Sequence, residues 1–182
     1  MKPIFLIGYM GCGKSTMGRA LSAVMNLELI DLDHYIEARY HRTVREIFEE
    51  KGEEEFRKIE RNMLHEVAEF ENVIVACGGG TPCYFDNIDY MNEKGMTVFL
   101  NASMEALKRR LSTPKSKNKR PIIANKSNDE LEQFIKVALE KRMTYYSKAD
   151  LVFDSSYLED GVQIHDSVQA LSKKIQESLI SR

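Results

Sequence analysis

Residues 8–15 read G-Y-M-G-C-G-K-S, a complete match to the pattern G-x-x-x-x-G-K-[ST]. The apolar run Ile4–Ile7 precedes it and a helical pattern from Lys14 to Met25 follows. Each position has a physical reason. Glycine permits dihedrals closed to other residues, so successive N–H groups turn inward on phosphate oxygens. The following helix presents its positive N-terminal end to the same anion. Lys14 brings a mobile charge to the β- and γ-phosphates, and Ser15 offers a hydroxyl to Mg²⁺. The alternative, a chance glycine turn before a helix, fits poorly with the strand and helix that flank it. The motif implies a nucleoside triphosphate, and ATP is the default because no N-K-x-D-like guanine reader occurs.

The rest of the chain repeats the strand-then-helix alternation. Short apolar runs at Val73–Ala76, Thr97–Leu100 and Leu151–Phe153, with a weaker one at Leu27–Ile30, read as strands buried on both faces. Between them, Glu53–Phe70 places Phe56, Ile59, Met63, Val67 and Phe70 at three- and four-residue spacing. Thr43 with Glu46, and Ser127 with Glu130, have capping-box spacing, the first opening a short helix before Glu53–Phe70 and the second a helix to about Ser147. A last helix spans Gly161–Leu179. The pattern predicts a single α/β domain over residues 1–182, a parallel sheet with helices on both faces. Residues 112–125, basic and proline-containing, read as a loop that is either a functional lid or a solvated insertion.

Composition closes off other classes. The 182 residues are 43% hydrophobic and 30% charged, with a formal net charge of −2. That balance gives no general basic field for nucleic acid. No segment is long enough to span a membrane, and nothing reads as a secretion signal. Three cysteines, Cys12, Cys77 and Cys83, suit free thiols in a reducing compartment, with cytoplasm the default. The four histidines form no zinc-ligand set.

Several residues carry candidate chemistry. Asp31 and Asp33, spaced by two after the second strand, would lie on one side of an extended backbone, one near the metal and one near an attacking hydroxyl. A helix-capping Asp beside a solvated one is the alternative. Gly78–Gly80 follow the third strand, either for close approach of a ligand to main chain or as a flexible turn. Arg142 falls on the apolar stripe of Leu131, Ile135, Ala138, Leu139 and Tyr146, and so needs an anionic partner or a route to water. Arg57 either meets a ligand or pairs on the surface with Glu60. Arg120 in the basic segment would stabilise transferring charge if that segment closes over ATP.

Taken together, GYMGCGKST, D-L-D at 31–33, F-R-K-I-E from Phe56, G-G-G at 78–80, R-P at 120–121 and R-M-T-Y-Y from Arg142 resemble the shikimate kinase family over nearly the whole chain. The first motif is specific by itself, and the joint order and spacing of the others add to it. The resemblance implies a three-layer P-loop fold like that of nucleoside monophosphate kinases, with five parallel strands in the order 2-3-1-4-5. It also implies a substrate-binding segment near 31–62 and a mobile lid near 112–125. The implied reaction moves the ATP γ-phosphate to the 3-hydroxyl of shikimate, with Mg²⁺ as cofactor and a monomer as the working unit.

Carried over by position, Lys14, Asp33 and Arg120 would be catalytic. Gly11, Cys12, Gly13, Lys14, Ser15, Thr16, Arg110 and Arg120 would hold the nucleotide, Arg110 near adenine. Asp33, Arg57, Gly79, Gly80 and Arg142 would hold shikimate, and Ser15 with Asp31, the latter through water, would serve the metal. The chain departs from the family pattern at Ala76–Cys77, where many relatives carry a hydroxyl residue. It departs again after the last strand, where D-S-S-Y-L-E-D-G stands in place of an arginine-bearing loop. Gluconate or nucleotide kinases of the same fold are rival readings, as is a regulatory protein that keeps the phosphate loop without catalysis.

Overall fold

In a computed structural model, which describes residues 1–180, fifteen short elements alternate along the chain. They are β1 (Ile4–Ile7), α1 (Lys14–Met25), β2 (Glu28–Asp31), α2 (Leu32–Tyr40), α3 (Val44–Val67), β3 (Val73–Ala76), a 3-10 turn (Thr81–Cys83), α4 (Asn87–Lys94), β4 (Met96–Asn101), α5 (Met104–Leu111), α6 (Pro114–Asn118), α7 (Pro121–Ala124), α8 (Asn128–Tyr146), β5 (Leu151–Asp154) and α9 (Gly161–Ile180). All strand pairings are parallel, in the order β2-β3-β1-β4-β5. Ile4 of β1 lies opposite Ile74 on one side and Met96 on the other.

Neighbouring residues of a strand point to opposite faces. Every residue of β1 is fully buried, so helices cover both faces of the sheet at its centre. The edge strands β2 and β5 are only half buried, which explains the weaker apolar run at 27–30. β1 sits between β3 and β4, and its phosphate loop therefore leaves the sheet where the strand order reverses. That is where ligands bind in open parallel sheets. No helix among the described residues is long and apolar enough to cross a membrane.

Both capping boxes form. Thr43 accepts from the Glu46 N–H while Glu46 accepts from the Thr43 N–H, and Ser127 and Glu130 do the same at the start of α8. Each such cap is worth about 1 kcal/mol. The two helices expected on either side of residue 52 are the arms of one kinked α3. Gly52 breaks it with φ 77°, ψ 172°, a left-handed conformation that suits glycine. The apolar stripe of the second arm is buried at Phe56, Ile59 and Val67, whereas Phe70 lies beyond the helix end and is exposed.

Two expectations need correction here. Residues 112–125 are not a plain loop but contain α6 and α7. Pro114 and Pro121 stand in the first turn of each, where a missing N–H costs nothing, so the prolines start helices here. Neither helix has a periodic apolar face, and Ile123 is the one buried residue of the two. The second correction is the backbone at Asp31–Asp33. The strand ends at Asp31, which caps α2 by accepting from the His34 N–H at 3.4 Å, and Asp33 lies in the first turn of that helix.

Candidate active site

A cleft of about 470 Å³ opens over the carboxyl ends of β1 and β3. Its floor is the phosphate loop. Gly13, at φ 106°, leads into α1 with no side-chain cap, so the first N–H groups of that helix stay available to an anion. A Cβ on Gly13 would meet a Leu158 methyl carbon, which can move aside, so it is the positive φ that favours glycine here. Lys14 folds back over the loop, donating to the carbonyls of Gly8 at 2.7 Å and Tyr9 at 3.1 Å. Gly11, Ser15 and Thr16 line the same floor. Cys12 does not: it is 1% exposed, its N–H is spent on the Tyr9 carbonyl, and its thiol lies 3.8 Å from the Lys14 ammonium.

One wall is carboxylate. Asp31 and Asp33 both line the cleft although a strand end holds one and a helix start the other. Asp31 thus caps α2 and borders the site at once. The Asp33 carboxyl is pushed up to about 6, chiefly by burial and then by the nearby Asp31 and Glu60 carboxylates. Lys14 acts in the opposite direction. Ala76 and Cys77 complete that side without a hydroxyl, as the sequence has it.

Lys14, Arg110 and Arg120 give the same cleft a cationic lining as well. Arg120 is anchored by the Ser116 hydroxyl at 2.8 Å and carbonyl at 3.3 Å, both on α6. Burial lowers its pKa from the ordinary arginine value. Among the described residues, neither Arg120 nor Lys14 has a carboxylate within ion-pair distance. Arg110 is tied down instead. It pairs with Glu159 at 3.0 Å and donates to the carbonyls of Gly11, Ser155 and Ser156, joining the phosphate loop to the segment after β5.

The remaining predicted residues sit one layer away. Gly79 lines the cleft, while Gly80, Arg57 and Arg142 do not. The glycines bridge the gap: a Cβ on Gly79 would meet the Arg142 guanidinium at 3.3 Å, and one on Gly80 would meet that of Arg57 at 2.9 Å. Arg142 lies over the Tyr9 ring and lines a second groove of about 470 Å³ with Tyr84, Phe134 and Ile122. It is partly exposed, sits beside the Tyr146 hydroxyl and has no carboxylate within ion-pair distance among the described residues. Arg57 and Glu60 are not a surface pair. Their side chains are 13% and 1% exposed, with Arg57 Nη1 donating to Glu60 Oε2 at 2.8 Å.

Sequence reasoning missed Ser116, Leu158 and Glu159, which line the cleft, and Thr81 and Tyr84, which touch the Arg57 surroundings. Ser116 and Glu159 carried no signal beyond lying near Arg120 and the last strand. Thr81 and Tyr84 were open to discovery, being polar residues directly after the triple glycine.

The chain can now be set against known proteins. The family model described as "Shikimate kinase" matches residues 10–177. A shikimate kinase of Phocaeicola vulgatus is 55% identical over 175 residues, which cover 96% of this chain and 99% of that protein. The crystal structure of shikimate kinase from Bacteroides thetaiotaomicron superposes with a TM-score of 0.91 at 51% identity, covering 96% of this chain and 98% of that one. Shikimate kinase from Acinetobacter baumannii in complex with shikimate gives 0.79 at 28% identity, covering 100% and 94%. With the family model spanning most of its length and close relatives matching end to end, this chain belongs to the shikimate kinase family.

Proposed function

We propose that the chain transfers the γ-phosphate of ATP to the 3-hydroxyl of shikimate, with the cleft over β1 and β3 as the reaction site. The observation that carries this reading is the arrangement of charge in one cleft: Lys14 and Arg120, with no carboxylate in ion-pair distance among the described residues, line it together with the half-buried Asp33. Cations left without internal partners suit a polyanionic ligand, and a carboxylate of raised pKa suits a hydroxyl that must lose a proton.

In this reading the N–H groups at the start of α1, Gly11 and Gly13 cradle the phosphates with Ser15 and Thr16, and the Cys12 N–H joins them only by leaving the Tyr9 carbonyl. Lys14 leaves its loop carbonyls for the β- and γ-oxygens. Arg120 approaches the transferring group from α6–α7, and Arg110 borders adenine. Arg57 and Arg142 hold the shikimate carboxylate beside the Gly79–Gly80 backbone. Asp33 orients the 3-hydroxyl and accepts its proton, being mostly ionised at pH 7 with a pKa of about 6.

Ser15 and Asp31 offer the hard oxygen donors that Mg²⁺ prefers, and both line the cleft. When bound, the ion neutralises charge on the β- and γ-oxygens. Asp31, which also caps α2, would serve the ion through water. The reading takes a monomer as the working unit. The three free cysteines agree with a reducing cytoplasm.

The test is ADP release with Mg²⁺ and ATP, with and without shikimate. A strong rise on adding shikimate is expected. Folded protein that hydrolyses or transfers no faster with shikimate, or that prefers gluconate, would refute the reading.

A further inference from the structure

Arg57 is held by two arms of the same design, each a hydroxyl that donates to a carboxylate that in turn accepts from one end of the guanidinium. In the first arm Thr81 Oγ1 donates to Glu60 Oε1 at 2.6 Å, and Glu60 Oε2 accepts from Arg57 Nη1 at 2.8 Å. In the second, the Tyr84 hydroxyl donates to Glu53 Oε1 at 2.6 Å, and the same oxygen accepts from Arg57 Nη2 at 3.4 Å. That hydroxyl bond holds the Glu53 carboxyl below its usual range. Both hydroxyls come from the turn directly after Gly78–Gly80. The Tyr84 ring also lies under the guanidinium, with its centroid 4.1 Å from Cζ.

We propose that Thr81 and Tyr84 are positioning residues which, through Glu60 and Glu53, fix the direction in which Arg57 presents its fork to the carboxylate of the acceptor. The inference rests on the reading of Arg57 as a holder of that carboxylate. Three observations support it. First, Arg57 has two carboxylate partners, so its immediate surroundings carry a net negative charge that opposes anion binding. What Arg57 adds is therefore geometry, while Arg142, with no carboxylate in ion-pair distance among the described residues, supplies the surplus positive charge. Second, the two bonded donors leave capacity: a guanidinium has five N–H groups, and the buried Nε has no partner among the described residues.

Third, the anchors are rigid. Thr81 is 0% exposed. Its N–H donates to the Gly78 carbonyl at 3.1 Å and its own carbonyl accepts from Asn87 Nδ2 at 2.8 Å. An arginine otherwise carries a large rotamer entropy, and a fork orders cheaply only if something holds it in place. Glu60 alone does not do so, because a carboxylate can rotate about its own side chain. The Thr81 hydroxyl fixes which oxygen faces Arg57.

The experiment measures KM for shikimate, KM for ATP and kcat in Thr81→Val, Thr81→Ser, Tyr84→Phe and Arg57→Lys, and in Tyr84→Phe combined with Arg57→Lys. Tyr84→Phe keeps the ring and deletes the hydroxyl. Thr81→Val and Tyr84→Phe should each raise KM for shikimate by about threefold to tenfold, the worth of one hydrogen bond. KM for ATP should hold, and kcat should change less than KM. Thr81→Ser should restore the wild-type KM. In the Arg57→Lys background, which lacks the fork, Tyr84→Phe should add nothing further.

A wild-type protein without shikimate-dependent ADP release would sink the functional reading and this inference with it. An active wild type whose Thr81→Val and Tyr84→Phe variants keep wild-type KM would overturn this inference alone, as would a Tyr84→Phe penalty that persists beside Arg57→Lys. Tyr84 is partly exposed, so Tyr84→Phe keeps the test decisive even if the fully buried Thr81→Val variant folds poorly.

Discussion

Replacing Asp33 with Asn should make the protein more stable and less active, and the gain in stability should depend on pH in a defined way. The Asp33 carboxyl has its pKa raised from 3.8 to about 6, first by burial and then by Asp31 and Glu60. The sign follows from which state holds the proton. Between pH 3.8 and 6 the unfolded chain has released it and the folded chain keeps it, so stability from this group is full below 3.8 and is lost as pH rises through 6. Above that window the folded protein carries a buried charge at a cost of about 3 kcal/mol, from 1.36 kcal/mol per pKa unit. At pH 5 the cost is about half of that.

Asn has the same size and no charge. The variant should therefore exceed wild type by up to about 3 kcal/mol at pH 7.5, and by roughly half as much at pH 5. For a chain of this length that corresponds to a rise in Tm of roughly 6–12 °C at the higher pH. Urea unfolding at the two pH values, without nucleotide or shikimate, measures both gaps. Turnover at saturating shikimate should fall by roughly 10²–10⁴-fold if Asp33 takes the proton. Equal stability of the two proteins at pH 7.5, or a gap that does not narrow at pH 5, would refute the electrostatic reasoning. Wild-type turnover with weakened shikimate binding would leave Asp33 as a hydroxyl anchor only.

Lys14→Met should lower turnover far more than it weakens ATP binding, because the ammonium gains most as charge shifts toward the transition state; near-normal turnover in folded protein would contradict that. Limited proteolysis should cut first within residues 112–125, where α6 and α7 bury little, and ATP with shikimate together should protect the segment. Equal cutting with and without both ligands would count against closure.

The central strands and the long helices were legible because their signals are local and redundant. An unbroken run such as Ile4–Ile7, followed by a glycine turn, can hardly form anything but a strand entering a phosphate loop. Thr43 and Ser127 announce helices through a spacing that is itself the hydrogen-bond geometry. What the sequence left open was local competition. At Asp31–Asp33 an extended backbone and a capped helix explain the same residues, and the cap prevails because Asp31 satisfies an N–H of α2 while Leu32 is fully buried. Between 112 and 125, turns of helix begin at proline without any apolar face to advertise them. Thr81 and Tyr84 act through partners 21 and 31 residues away in the chain, and no periodicity records such pairings.

Of the cations assigned to the site, Arg57, Arg110, Lys14 and Arg120 fall into two kinds, and the division follows the work assigned to each. Arg57 and Arg110 are ion-paired or bonded to carbonyls in the fold, so their directions are set before any ligand arrives. Lys14 and Arg120 are held by neutral groups, namely the carbonyls of Gly8 and Tyr9 and the Cys12 thiol for the first and the Ser116 hydroxyl and carbonyl for the second. Breaking such bonds costs less than breaking a buried ion pair, which leaves a charge uncompensated. The residues that must follow charge onto a moving phosphoryl group are thus the ones the fold releases cheaply. Arg57, which must hold a substrate still, is tied down, and Arg142 shares that role with no carboxylate in ion-pair distance among the described residues. On this division, salt should weaken ATP binding through Lys14 and Arg120, whose charge faces the cleft. The Arg57 pair, with Glu60 only 1% exposed, lies largely beyond the reach of screening.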